Sequence, residues 1–278
     1  MHIAAWTVIV LAGLTVFARW LEPQLAFFPS PGEDVTPPQF GVPYEAITID
    51  TSDGEHLRGW IMAAPNPRAR IVYFHGNGGN LSNWAPILTG MVKRGYSVAA
   101  IDYRGYGLST GRPTERGLYR DTDGALARVW TGAQSESAGT QDPGNATPLI
   151  YWGRSLGGSV AAYAATVRRP DGLILESTFP DSRAVVRDSP VLTVLSLFAS
   201  YRFPTAAFVN RTTMPVLQLH GDHDSVIPFA VGRDLFARIR DPKTFVVISG
   251  GDHNDTVAPD AATYWAAIDA FASDLRRH

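Results

Sequence analysis

From Tyr44 onward the chain alternates short, almost uninterrupted apolar runs with longer amphipathic stretches. The runs Arg70–Phe74, Ser97–Ile101, Leu149–Trp152, Leu173–Leu175, Val216–Leu219 and Thr244–Ile248 read as strands buried on both faces of a parallel sheet. Between them Trp84–Arg94, Glu115–Trp130, Leu156–Arg168, Phe229–Ile239 and Ala261–Leu275 carry helical periodicity. This repeated alternation predicts an α/β fold with a mostly parallel central sheet and helices on both faces. Tyr44–Asp50 and Leu57–Ala63, joined by Thr51-Ser52-Asp53-Gly54, predict an antiparallel hairpin at its N-terminal edge. Two stretches break the rhythm. Thr131–Thr147 is polar and rich in small residues, a surface excursion. Phe179–Met214 separates two strands by about 40 residues and holds the apolar run Val191–Phe198, so 179–214 is expected to form a short lid insertion.

The beginning of the chain has a different pattern. Ile3–Ala18 contains sixteen residues without a charge, and residues 1–21 as a helix span about 31 Å, enough for a hydrocarbon core of about 30 Å. Trp6 and Trp20 sit where interfacial anchors belong, and Arg19 can extend its head to the interface. The preferred reading is a single-pass transmembrane anchor over 1–21, a Pro- and Gly-rich linker over 22–43, and a catalytic domain over 44–278. A cleaved signal peptide lacks the expected basic start, and a buried first helix is the third alternative. Arg19 after the segment favours a cytoplasmic catalytic domain.

Composition narrows the chemistry. Net charge is −2, so there is no basic excess to suggest nucleic acid as a partner. Cysteine is absent, which removes disulfides, thiolate metal sites and thiol nucleophiles together. Lysine occurs only at Lys93 and Lys243.

Gly153-Arg154-Ser155-Leu156-Gly157 follows one predicted strand and precedes a predicted helix. A G-x-S-x-G segment in that context is a nucleophile elbow, a turn so sharp that its serine projects from the carboxyl edge of the sheet. The helix start behind it favours developing negative charge. A serine hydroxyl needs an adjacent base. In the Ser, acid, His order of such elbows the base comes last and from a loop, which selects His253 in Gly250-Gly251-Asp252-His253-Asn254-Asp255. The acid then lies in Gly221-Asp222-His223-Asp224-Ser225-Val226-Ile227-Pro228, where Asp222 and Asp224 both qualify. An oxyanion needs two preorganised N–H donors. The backbone amides of Leu156 and Asn77, the latter in the loop His75-Gly76-Asn77-Gly78-Gly79-Asn80, are the candidates. A hydrolytic metal site needs three or more converging ligands with an open position, and His220-x-x-His223-Asp224 is joined by no second His/Asp pair of comparable spacing; Gly76–Gly79 lacks the lysine and Ser/Thr of a phosphate loop. The reading therefore calls for no metal and no cofactor.

These segments, together with Asp102-Tyr103-Arg104-Gly105-Tyr106-Gly107-Leu108-Ser109, resemble the α/β-hydrolase superfamily, in its branch of membrane-anchored abhydrolase-domain serine hydrolases. The resemblance implies the α/β-hydrolase fold and runs from Arg70 to Asn254. It selects Asp224 over Asp222, because the family's acid falls four residues after the histidine of His220-Gly221-x-x-Asp224. It implies ester or thioester cleavage through an acyl-enzyme, with a small-molecule or lipid acyl substrate. A peptidase or amidase on the same scaffold is the alternative, and a non-catalytic membrane-tethered binding domain is a more distant one.

Overall fold

The computed structural model describes residues 2–129, 147–187 and 189–277, with side chains from Ala5 onward. The Thr131–Thr147 excursion lies, up to residue 146, outside the described residues.

Eight strands form one mixed sheet: β2 (Glu45–Asp50), β3 (His56–Met62), β4 (Arg70–Phe74), β6 (Ser97–Ile101), β7 (Leu149–Arg154), β8 (Gly172–Glu176), β9 (Val216–Gly221) and β10 (Lys243–Ile248). Their order is β10-β9-β8-β7-β4-β6-β3-β2. All neighbours from β10 to β6 are parallel. β3 pairs antiparallel with both β6 and β2. The edge hairpin and parallel centre are those the pattern predicts. The central strands β6 and β8 are buried at every position, as a sheet covered on both faces requires.

Helices α2 (Leu81–Lys93), α3 (Glu115–Arg128), α4 (Leu156–Val167), α8 (Phe229–Arg238) and α9 (Ala261–Leu275) follow the predicted amphipathic stretches. The sheet they cover divides the core in two. One half gathers Phe74, Tyr151, Val160 and Leu175, the other Trp60, Trp152, Leu217 and Tyr264. Starts are set by side-chain caps: Asn80 accepts from the Ser82 and Asn83 amides, and Thr114 from Gly117.

Between β8 and β9 lie three short helices, α5 (Ser182–Val186), α6 (Pro190–Ser196) and α7 (Thr205–Val209). The N-terminal helix α1 runs from His2 to Ala26. It is the one helix among the described residues long and apolar enough to cross a membrane, and little of it is buried. It ends five residues past Leu21 because Pro23, though unable to donate, still accepts from the Phe27 amide at 3.0 Å. The segment beyond α1 is stitched to the domain. The short strand β1 (Phe28–Pro29) pairs in parallel with β5 (Gly78–Gly79).

Candidate active site

Ser155 joins β7 to α4 with φ 54° and ψ −123°, a region hostile to any side chain. The flanking glycines allow it. A Cβ on Gly153 would collide with the Gly157 carbonyl, and one on Gly157 with the Phe74 carbonyl. The turn is tied to β8, since the Ser155 amide donates to the Glu176 carbonyl at 2.9 Å and Thr178 Oγ1 donates to the Ser155 carbonyl at 2.7 Å.

The structure brings three of the sequence-selected side chains into one hydrogen-bonded row. Ser155 Oγ lies 3.1 Å from His253 Nε2. His253 Nδ1 lies 3.0 and 2.9 Å from the two Asp224 carboxylate oxygens. With Nδ1 donating to Asp224, Nε2 is left to accept from the serine hydroxyl. Burial works against the Asp224 charge, but the bonds from His253 and the Ile227 amide hold its carboxyl below the usual range. Asp222, the other candidate acid, instead pairs with exposed His223 at 2.7 Å. His220 is buried, with Nε2 2.9 Å from the Ile227 carbonyl. His220 and His223 thus diverge.

The acid loop and base loop are joined directly. Asp252 Oδ1 accepts from the Ser225 and His253 amides, each at 2.7 Å, and its pKa is lowered to about 2 by these bonds. The Leu156 amide opens α4, immediately after Ser155. Asn77 borders the same space as Ser155. Its carbonyl accepts from the Phe28 amide at 2.8 Å and from Tyr106 Oη at 2.7 Å, while Tyr103 Oη donates to the His75 carbonyl at 3.0 Å. The Asp102–Gly107 segment therefore holds the loop that carries Asn77.

Ser155 stands between two cavities. One, of about 610 Å³, is bordered by Gly76, Gly78, Trp84, Arg154, His253 and Asp255. The other, of about 340 Å³, is walled by apolar side chains of the segment between β8 and β9 and of α1, among them Leu21, Leu25, Val186, Leu192 and Leu195. Of the run Val191–Phe198, Leu192 and Leu195 face this cavity, whereas Val191, Val194 and Leu197 are exposed.

Sequence reasoning passed over Arg154 and Glu176. Arg154 is buried, donates to the His253 carbonyl and to Thr256, and faces Glu176 at 3.6 Å and the Trp84 ring at 5.3 Å. Glu176 also accepts from Trp152 Nε1 and Tyr264 Oη, at 3.0 and 3.1 Å. The available signal was a charged residue at the end of each of two otherwise apolar adjacent strands.

Residues 65–212 match the family model Hydrolase_4, described as "Serine aminopeptidase, S33". The chain is 30% identical over 277 residues to the uncharacterized protein Rv2307c of Mycobacterium tuberculosis, covering 99% of this chain and 95% of that protein. It is 31% identical over 243 residues to the uncharacterized membrane protein YNL320W of Saccharomyces cerevisiae, with 85% and 82% covered. Among solved structures, the esterase Pf2001 of Pyrococcus furiosus superposes with a TM-score of 0.67 at 18% identity, over 90% of this chain and 98% of that one.

Proposed function

Since the chain belongs to the Hydrolase_4 family of α/β-hydrolases, we propose that it is a serine hydrolase cleaving carboxylic ester or thioester bonds through an acyl-enzyme. The observation that carries this reading is the Ser155–His253–Asp224 row, with its nucleophile open to two cavities. Ser155 Oγ attacks the acyl carbonyl while His253 Nε2 takes its proton. Asp224 fixes the tautomer and stabilises the imidazolium. The Leu156 and Asn77 amides receive the oxyanion. His253 then protonates the leaving group, and water releases the acid. The apolar cavity suits an acyl chain, and the Pyrococcus protein whose fold this chain shares is an esterase, which agrees with ester substrates. We further propose that α1 is a single-pass anchor, supported by its length and composition and by the membrane-protein name of the yeast relative.

The test is Ser155→Ala, expected to lower kcat on p-nitrophenyl esters by about 10⁴ to 10⁶ and to abolish fluorophosphonate labelling. Retention of a tenth of the activity together with labelling would sink the assignment. The family's designation as serine aminopeptidases favours a second reading, an aminopeptidase, with Asp255 bordering the larger cavity as a partner for a substrate amine. Turnover of aminoacyl-anilides without turnover of p-nitrophenyl esters selects it.

A further inference from the structure

The smaller cavity beside Ser155 is not enclosed by the catalytic domain alone. Ala18, Leu21, Glu22, Leu25 and Ala26, all on α1, border it on one side, and the lid borders it on the other. Ala18, Leu21 and Leu25 are three and four residues apart, so a single face of α1 forms this wall. Val16, Phe17 and Trp20 are exposed.

The two walls are fastened to each other. Glu22 accepts from Ser200 Oγ at 2.6 Å and from the Tyr201 amide at 2.8 Å. Glu115, on α3, accepts from the next two amides, Arg202 at 2.6 Å and Phe203 at 2.8 Å. Three successive amides of one lid loop are thus held by two carboxylates, one of them from α1. Phe27, buried at the end of α1, meets Tyr201 and Phe203 edge-on with centroids 5.7 and 6.2 Å away. Because the Glu22 carboxylate oxygens are engaged with the lid, what the cavity offers a ligand is chiefly hydrocarbon. Such a wall recognises methylenes by the water they leave behind, and discriminates little else.

We infer that α1 and the lid jointly form the acyl-chain subsite of the hydrolase, that its ligand is an acyl chain, and that Leu21 is part of the wall it packs on, with Glu22 as the positioning residue that holds the lid against it. The inference rests on the Ser155 reading above and adds to it a role for α1 in specificity.

The full-length protein in phosphatidylcholine vesicles is assayed with p-nitrophenyl acetate, butyrate, hexanoate and octanoate, all as dissolved monomers. The wild type is expected to gain in kcat/KM with each added methylene, up to a ceiling of about 4-fold per methylene set by its transfer from water. Leu21→Trp, which places an indole in the cavity, is expected to lower the octanoate-to-acetate ratio at least tenfold. Val186→Trp, from the lid side, gives the same reading if the first variant does not fold. Glu22→Ala is expected to raise KM for octanoate more than it lowers kcat, with partial rescue by Glu22→Gln, which keeps one acceptor oxygen. Phe17→Trp, on the exposed face, leaves the ratio unchanged. A lysophospholipid and an S-acyl peptide, each beside its acetyl counterpart, separate a lipid source from a protein source. Preference for the long chain in either supports the subsite, and preference in neither overturns it. A flat chain-length profile in a wild type that works through Ser155, or unchanged ratios in tryptophan variants that still label with fluorophosphonate, also overturns it. Activity that survives in Ser155→Ala overturns the underlying reading instead.

Discussion

Ser155 occupies a backbone region that costs a side-chain-bearing residue about 1–3 kcal/mol. Glycine enters that region freely, at the expense of extra freedom in the unfolded chain. Ser155→Gly is therefore expected to melt about 2–4 °C above Ser155→Ala, corresponding to about 1 kcal/mol, although both lack the nucleophile. Equal melting temperatures would mean that the elbow is unstrained. At Asp224, replacement by Asn removes the charge and puts an NH2 donor in place of one carboxylate oxygen, so the His253 tautomer is no longer fixed, and kcat is expected to fall by about 10⁴ with the fold intact, read by steady-state kinetics and circular dichroism. His220 reports on pH. Burial lowers its pKa and the nearby His253 adds to this, opposed by the Ile227 carbonyl and Asp224. Below about pH 6.5 the unfolded chain then binds a proton that the folded chain resists, so stability is full above that pH and declines as pH falls beneath it. Melting temperatures between pH 7.5 and 5 should show this decline, and His220→Gln should make it shallower.

The loop carrying Asn77 shows how elements divide the labour. It projects from the carboxyl end of β4, but its placement comes from Tyr103 and Tyr106 beyond the end of β6. Tyr106→Phe deletes one bond to the Asn77 carbonyl, worth about 1 kcal/mol. The expected result is a kcat about 5- to 10-fold lower with little change in KM; a change confined to KM would place the tyrosine in substrate binding instead. This division also marks where the sequence stopped being informative. Ser155 and His253 announce themselves, because an elbow and a post-strand loop have local signatures, whereas Asp224 is separated from Asp222 only by the resemblance to the family. The bounds of β4, β6 and α9 coincide with their apolar or amphipathic runs. Contacts made by packing leave no such trace. Arg154 meets the His253 carbonyl 99 residues away, and Glu22 meets Tyr201 across 179 residues. The helix α1 runs on through Pro23 to Ala26, because a proline removes one donor from a helix but not the acceptors around it.

At the scale of the whole molecule, the sheet and its covering helices position the elbow, while α1 stands largely uncovered. Helices so exposed and so apolar need a nonaqueous surrounding. The full-length protein is accordingly expected to remain with the membrane pellet after alkaline carbonate, and its release into the supernatant would remove the anchor from the account. The two-residue ladder between Phe28–Pro29 and Gly78–Gly79 gives such an anchor an additional consequence. The first of its bonds joins Phe28, two residues past α1, to Asn77 at the edge of the catalytic cleft. Nothing slack separates the two. Were α1 held in a bilayer as proposed, the altitude of the nucleophile above the lipid surface would be a fixed dimension of the protein, and scissile bonds would be sorted by how far they stand out from that surface before any side chain tests their identity.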